Sequence, residues 1–154
     1  MGSSKFSDEE LIQRAFLRAT RVMFGMWEER GSSDTRLLDP PLIPDQYVRV
    51  GESLDGAEHR EHVVPRKVIC DECHKMFKEG TEKGIEVDAL IKLVADLIRK
   101  HLKIIHISMK EKECLDQGKQ LNLRQSMPKG WSFESGDTYA RLHEANIKFR
   151  LNGE

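Results

Sequence analysis

Apolar side chains recur along this chain in a few separate periodic runs, and each run predicts an element. Over residues 7–29, Ile12, Phe16, Ala19, Met23 and Trp27 return at helical spacing, with Ala15, Val22 and Met26 widening the stripe. Ser7 followed by Glu10 reads as a capping box. Asp8, Glu9 and Glu10 suit the positive helix N-terminus, and Gly31 ends the run. The clearest stripe lies over 86–101, where Val87, Leu90, Ile91, Val94, Leu97 and Ile98 fall on one helical face. A helix is also predicted over 66–79, with Ile69, Cys73 and Met76 on one side and Gly80 and Gly84 breaking it. Residues 102–108 (LKIIHIS) read as a strand. Ser108 and Glu111 then form a second capping box that opens a short helix to about Asp116.

The remaining elements are shorter. Residues 60–65 (REHVVP) read as a strand stopped by proline, and 46–50 as a partner that would form a hairpin with it. Residues 137–146 suit a last helix capped by Asp137, and 147–151 a last strand. Between 31 and 57 the chain turns to Gly, Ser, Asp and three prolines, Pro40, Pro41 and Pro44. A connection of that length in a small domain is functional or mobile. The order predicts an α+β fold, with a small antiparallel sheet packed with about five helices. It divides into an N-terminal helix (1–30), an irregular loop (31–57) and an α+β core (58–154) within one domain.

Composition narrows the functional classes. The 154 residues carry 25 Lys and Arg against 26 Asp and Glu. That balance excludes a histone-like polycation and a disordered acidic tail, but not nucleic-acid binding, which needs only a local basic face. No apolar run is long enough to span a membrane, and the opening MGSSKFSDEE has no apolar signal region. Three cysteines, an odd and low number, point to a reducing cytoplasm. No Gly-x4-Gly-Lys-Ser/Thr, Gly-x-Ser-x-Gly or Gly-x-Gly-x-x-Gly occurs, which argues against nucleotide-dependent and serine-hydrolase chemistry.

Two constellations carry candidate chemistry. The first is Glu61-His62-Val63-Val64-Pro65. An acid beside a histidine at a strand end, closed by Val-Val-Pro, resembles the first motif of the HNH (ββα-metal) nucleases. Phosphodiester hydrolysis needs a base to activate water and a cation to neutralise the phosphate. The resemblance implies that His62 is the general base, that Glu61 is a metal ligand, and that the metal is Mg or Mn. It also implies a strand-helix-strand core, with 102–108 as second strand, 109–116 as metal helix and 66–101 as a helical insertion. The family helix offers Asn or His to the metal. This one offers Glu111, Glu113 and Asp116, so Glu113 or His106 would be the further ligand. A looser likeness, to small bacterial and phage proteins of no established activity, rests on residues 62–65, 110–113, 127–131 and 140–142.

The second constellation pairs His59 and His62 with Cys70 and Cys73, two nitrogens and two thiolates suited to a tetrahedral zinc. The two sets compete for His62. Cys73 also fits the apolar stripe, as a small hydrophobe. The acidic Asp71 and Glu72 between the thiols argue against a thioredoxin-like pair.

Lys110, Lys112 and Lys129, with Lys119 and Arg124, are candidates for a phosphate-binding face, and Trp131 for a stacking platform. Trp131 also fits a plug at the core's edge. Met23, Phe24, Met26 and Trp27 suit either a core face or a homodimer contact through the first helix.

Three readings follow. One is an HNH-like nucleic-acid-binding protein with metal-dependent phosphodiesterase activity. Another is a non-enzymatic phage or mobile-element inhibitor that binds a host defence nucleoprotein complex. The third is a zinc-stapled interaction module.

Overall fold

Helix α1 (Asp8–Arg30) begins where the capping box requires. The Ser7 hydroxyl accepts from the Glu10 amide and the Glu10 carboxylate accepts from the Ser7 amide, both at 3.1 Å. Gly31, at φ 76°, closes it by donating to the Trp27 carbonyl at 2.7 Å. The computed structural model describes residues 4–117 and 123–154, so Lys119 lies outside the described residues. The other helices are α2 (Arg66–Glu82), α3 (Val87–His101), α4 (Met109–Gln117) and α5 (Ala140–Glu144). The strands are β1 (Arg49–Ser53), β2 (His59–His62), β3 (Ile104–Ile107) and β4 (Phe149–Leu151). The fold is therefore α+β, as expected. No helix among the described residues is long and apolar enough to cross a membrane.

The chain divides into two compact units. One takes residues 1–47 and 70–100, the other 48–69 and 101–154. In the first, α1 buries Phe16, Ala19, Met23 and Phe24. Phe24 meets Phe77 of α2 edge-on at 5.2 Å, and Trp27 lies 5.7 Å from the same ring. Three of the side chains that suited a dimer contact thus pack inside this unit. Arg99 of α3 reaches Glu9 of α1 at 2.7 Å. Segment 31–47 contains two 3-10 turns, Thr35–Leu38 and Asp45–Tyr47; Leu38 of the first is buried, as is Ile43 between them. Gly80, expected to break a helix, lies inside α2. A Cβ there would sit 2.4 Å from the Leu90 side chain of α3, so glycine permits the two helices to approach. The reversal falls at Gly84, whose φ of 74° suits glycine.

The second unit holds a four-stranded sheet in the order β2-β3-β1-β4. The antiparallel expectation is corrected at one ladder, because β1 and β3 are parallel while the other two pairs are antiparallel. The expected hairpin is corrected with it, since β3 lies between β1 and β2. Hydrophobicity explains the places of β3 and β2. Strand β3 buries Ile104, Ile105 and Ile107, so it takes a central place with neighbours on both sides. Strand β2, His-Arg-Glu-His, is polar throughout and takes an edge. On one face Ile105 and Ile107 join Val63, Leu115 of α4, Leu123, Leu142 of α5 and Ile147 in a core. The second capping box is present, with the Ser108 amide donating to Glu111 at 2.9 Å and the Glu111 amide to Ser108 at 3.1 Å. The final helix is shorter than expected. Asp137 does not cap it; its carboxylate accepts from the Tyr139 amide at 3.0 Å, which makes a turn before α5 begins.

A Cβ on Gly51 would fall 2.1 Å from the Arg150 carbonyl, backbone against backbone. Gly51→Val is expected to part β1 from β4 and cost about 3 kcal/mol in urea unfolding. His74 is held 2.7 Å from the Ser33 hydroxyl, and burial lowers its pKa below the usual histidine value, against the pull of Asp71. The unfolded chain then takes up this proton first as pH falls. Stability is therefore full above about pH 6.5 and declines below it. Melting temperatures at pH 7.5 and 5.5 should fall further apart in the native chain than in His74→Gln.

Candidate functional site

The resemblance to ββα nucleases depends on strand, strand and helix in order, and this unit contains them. Strand β2 pairs antiparallel with β3, and α4 follows β3 directly. Helices α2 and α3 lie between the two strands in sequence.

The side chains are arranged differently from the motif's requirement. Glu61 and His62 are both in register, opposite Ile105 and Ile104. Consecutive ladder residues point to opposite faces, so the acid and the imidazole are separated by the sheet. Glu61 shares the core face with Ile105, and His62 shares the other face with Ile104 and His106. The Nε2 atom of His62 is shielded from solvent. Glu113 is on the exposed side of α4, a helix that buries Leu115 in the core under Ile105 and Ile107. The structure therefore brings His62 and His106 to one face, and places Glu61 and Glu113 elsewhere.

Glu61 has two side-chain partners. Its Oε1 lies 3.2 Å from His59 Nε2, and its Oε2 lies 3.6 Å from Arg141 Nη2. The second distance exceeds a hydrogen bond, so charge attraction is the interaction. Arg141, on α5, is 0% exposed. Its Nε donates to the Leu123 carbonyl at 2.8 Å and its Nη1 to the His62 carbonyl at 2.7 Å. Burial lowers the Arg141 pKa, and the Glu61 carboxylate opposes that shift. A buried guanidinium is tolerable only when paired and hydrogen-bonded. Glu61 thus serves as the counter-ion of a structural arginine.

The opposite face carries a row that the sequence reading did not single out. Arg60 lies across from His106, His106 from Glu52, and Glu52 from Arg150, so four strands contribute one residue each. Arg49 and Arg150 flank Glu52 at 3.7 and 3.8 Å. The Glu52 and Arg150 side chains are 44% and 58% exposed. The strand register that creates this row is a long-range property with no local signal.

Of the zinc candidates, His59 and His62 belong to β2 and Cys70 and Cys73 to α2. His59 and His62, three apart on a strand, face opposite sides of the sheet. Cys70 and Cys73 are free and buried in α2. Burial pushes the Cys73 thiol well above its ordinary pKa, and Cys70 and Glu72 add to the rise. Among the described residues no three His, Cys, Asp or Glu side chains gather as a metal ion would need.

The nucleic-acid candidates are dispersed. Lys112 is paired with Asp116 at 2.7 Å, while Lys110 and Lys129 are exposed. Trp131 donates from its indole nitrogen to the Asp137 carbonyl at 2.8 Å and packs edge-on against Phe133 and His101. Its ring is half-buried in that aromatic cluster, the plug role the sequence allowed.

The Arg141–Glu61 pair gives a direct test. Arg141→Met should cost roughly 3 kcal/mol in chemical unfolding, because Glu61 and the carbonyls of His62, Val63 and Leu123 lose their partner. In the double variant with Glu61→Gln the two losses should be less than additive by about 0.5–3 kcal/mol. Full additivity would show the carboxylate to be independent of the arginine. Compared with protein-family models, with curated proteins and with solved structures, the chain matches none.

Proposed function

We propose that this chain binds nucleic acid through the polar face of its sheet and does not hydrolyse it. The observation that carries the reading is the row Arg60–His106–Glu52–Arg150, extended by Arg49 beside Glu52. Guanidinium forks match phosphate oxygens in geometry as well as charge. The shared chemistry of the ligand is the phosphodiester backbone, free or within a nucleoprotein complex. Glu52 holds two of the arginines in place and is displaced as counter-ion when phosphate arrives.

The hydrolase reading has the order of β2, β3 and α4 in its favour. Against it stand three features of the motif residues. Glu61 is committed to Arg141 and His59, His62 Nε2 is shielded from the water a base must activate, and the two lie on opposite faces. A scaffold of ββα order that binds without cutting accounts for all three.

Fluorescence anisotropy with labelled DNA and RNA checks the proposal. The native chain should bind with an affinity that falls steeply with salt. Arg49→Ala combined with Arg150→Ala should weaken binding to every sequence and reduce the salt slope by about 2. An unchanged slope would remove this face from the interface. Incubation of plasmid with Mg²⁺ or Mn²⁺ should leave it intact. Cleavage abolished by His62→Ala would restore the nuclease.

A further inference from the structure

A hollow of about 450 Å³ opens in the second unit, between the end of β1, the start of α4 and the turn that joins α5 to β4. That size is within the range of small-molecule sites. Its wall is aliphatic, from Leu54, Ala145 and Ile147. Leu54 is 64% exposed, a large apolar side chain left in water at the mouth.

Four charged residues also line it, and their states differ. The two acids are occupied by the backbone and hydroxyls of the fold. Asp55 Oδ2 accepts from the Ser108 hydroxyl at 2.7 Å. Glu111 accepts from the Ser108 amide and the Ser53 hydroxyl, each at 2.9 Å. The two lysines, Lys110 and Lys148, have no ion pair and no side-chain hydrogen bond among the described residues. Lys112, one step further along α4, is paired. Lys110 also occupies the first turn of α4, where the helix dipole disfavours a cation. An anion delivered to the hollow relieves that cost.

We propose that this hollow binds a monocarboxylate with a short apolar tail. The carboxylate sits between the Lys110 and Lys148 ammonium groups and the tail covers Leu54, Ala145 and Ile147. Two sources share this chemistry, a free aliphatic acid and the C-terminus of a peptide ending in an aliphatic residue. The site is distinct from the row on the sheet and stands whether or not nucleic acid binds there.

Cys114 lines the same hollow and provides the readout. It is exposed, while Cys70 and Cys73 are buried, so a thiol reagent applied to the folded chain reports on this place alone. Hexanoate should slow the modification of Cys114 in a saturable way, with hexanamide as the neutral control. Each ammonium should be worth about tenfold or more in affinity, so Lys110→Met with Lys148→Met should abolish protection by hexanoate. Melting temperature checks that this variant is folded. Leu54→Gln, which keeps both lysines, should weaken hexanoate and leave acetate unaffected.

Peptides ending in leucine, with free and amidated C-termini, separate the sources. Protection by the free-ended peptide at lower concentration than hexanoate assigns the site to a chain terminus, and the reverse order assigns it to a free acid. Both support the proposal. Equal protection by hexanoate and hexanamide, or no saturable protection by either acid, overturns it.

Discussion

A guanidinium removed from water must be held by everything around it, and in the sheet-bearing unit that group is Arg141. It joins parts of the chain that are remote in sequence: the carbonyl of Leu123, the carbonyl of His62 at the end of β2, and the carboxylate of Glu61. The core cluster of Val63, Leu123 and Leu142 surrounds the same place. An unpaired charge there would cost several kcal/mol, so the arrangement tolerates little adjustment. Glu61 follows from this requirement. Its position on the core face of β2 is set by the arginine, and the edge strand is fixed in register by it.

That constraint divides the chemistry of the unit. A strand presents alternate side chains to opposite faces. Once Glu61 turns to the core, His62 must turn away, into the face shared with His106 and bounded by arginines. An acid and an imidazole adjacent in sequence become partners in chemistry only if the strand ends or bulges between them. Strand β2 does neither, since both residues stay in the ladder with β3.

Features governed by neighbours in sequence were legible in the chain. Both capping boxes, at Ser7–Glu10 and Ser108–Glu111, form as written, and Gly31 caps α1, because each depends on three or four residues. The stripes of α1 and α3 likewise give most of their buried faces, with Val22 and Val87 left exposed. What was not legible depends on distant partners. The place of β3 between β1 and β2 follows from comparing the hydrophobicity of three strands. Gly80 inside α2 is explained only by Leu90, a residue of the next helix. Arg141 sits beside Leu142 in a short helix, where sequence suggests a solvated charge; its burial depends on β2 and residue 123. The polar row needed the register of all four strands, so no window of sequence contained it.

Element order is therefore a weaker guide to chemistry than side-chain direction. Two strands and a helix follow one another here as β2, β3 and α4, yet Glu61 neutralises an arginine and His62 lies on the opposite face of the sheet. A shared order requires only that an apolar strand, a polar edge strand and an amphipathic helix pack together, and many sequences meet that condition. A catalytic site requires several side chains to converge within hydrogen-bonding distance of one point. The face where this sheet gathers polar groups carries three arginines, the imidazoles of His62 and His106, and one carboxylate that lies near two of the arginines. The carboxylate, Glu52, is flanked by Arg49 and Arg150, and an arriving anion would exchange with it. The arginines of the face carry fixed positive charge, and that is the physical basis of the binding proposed above.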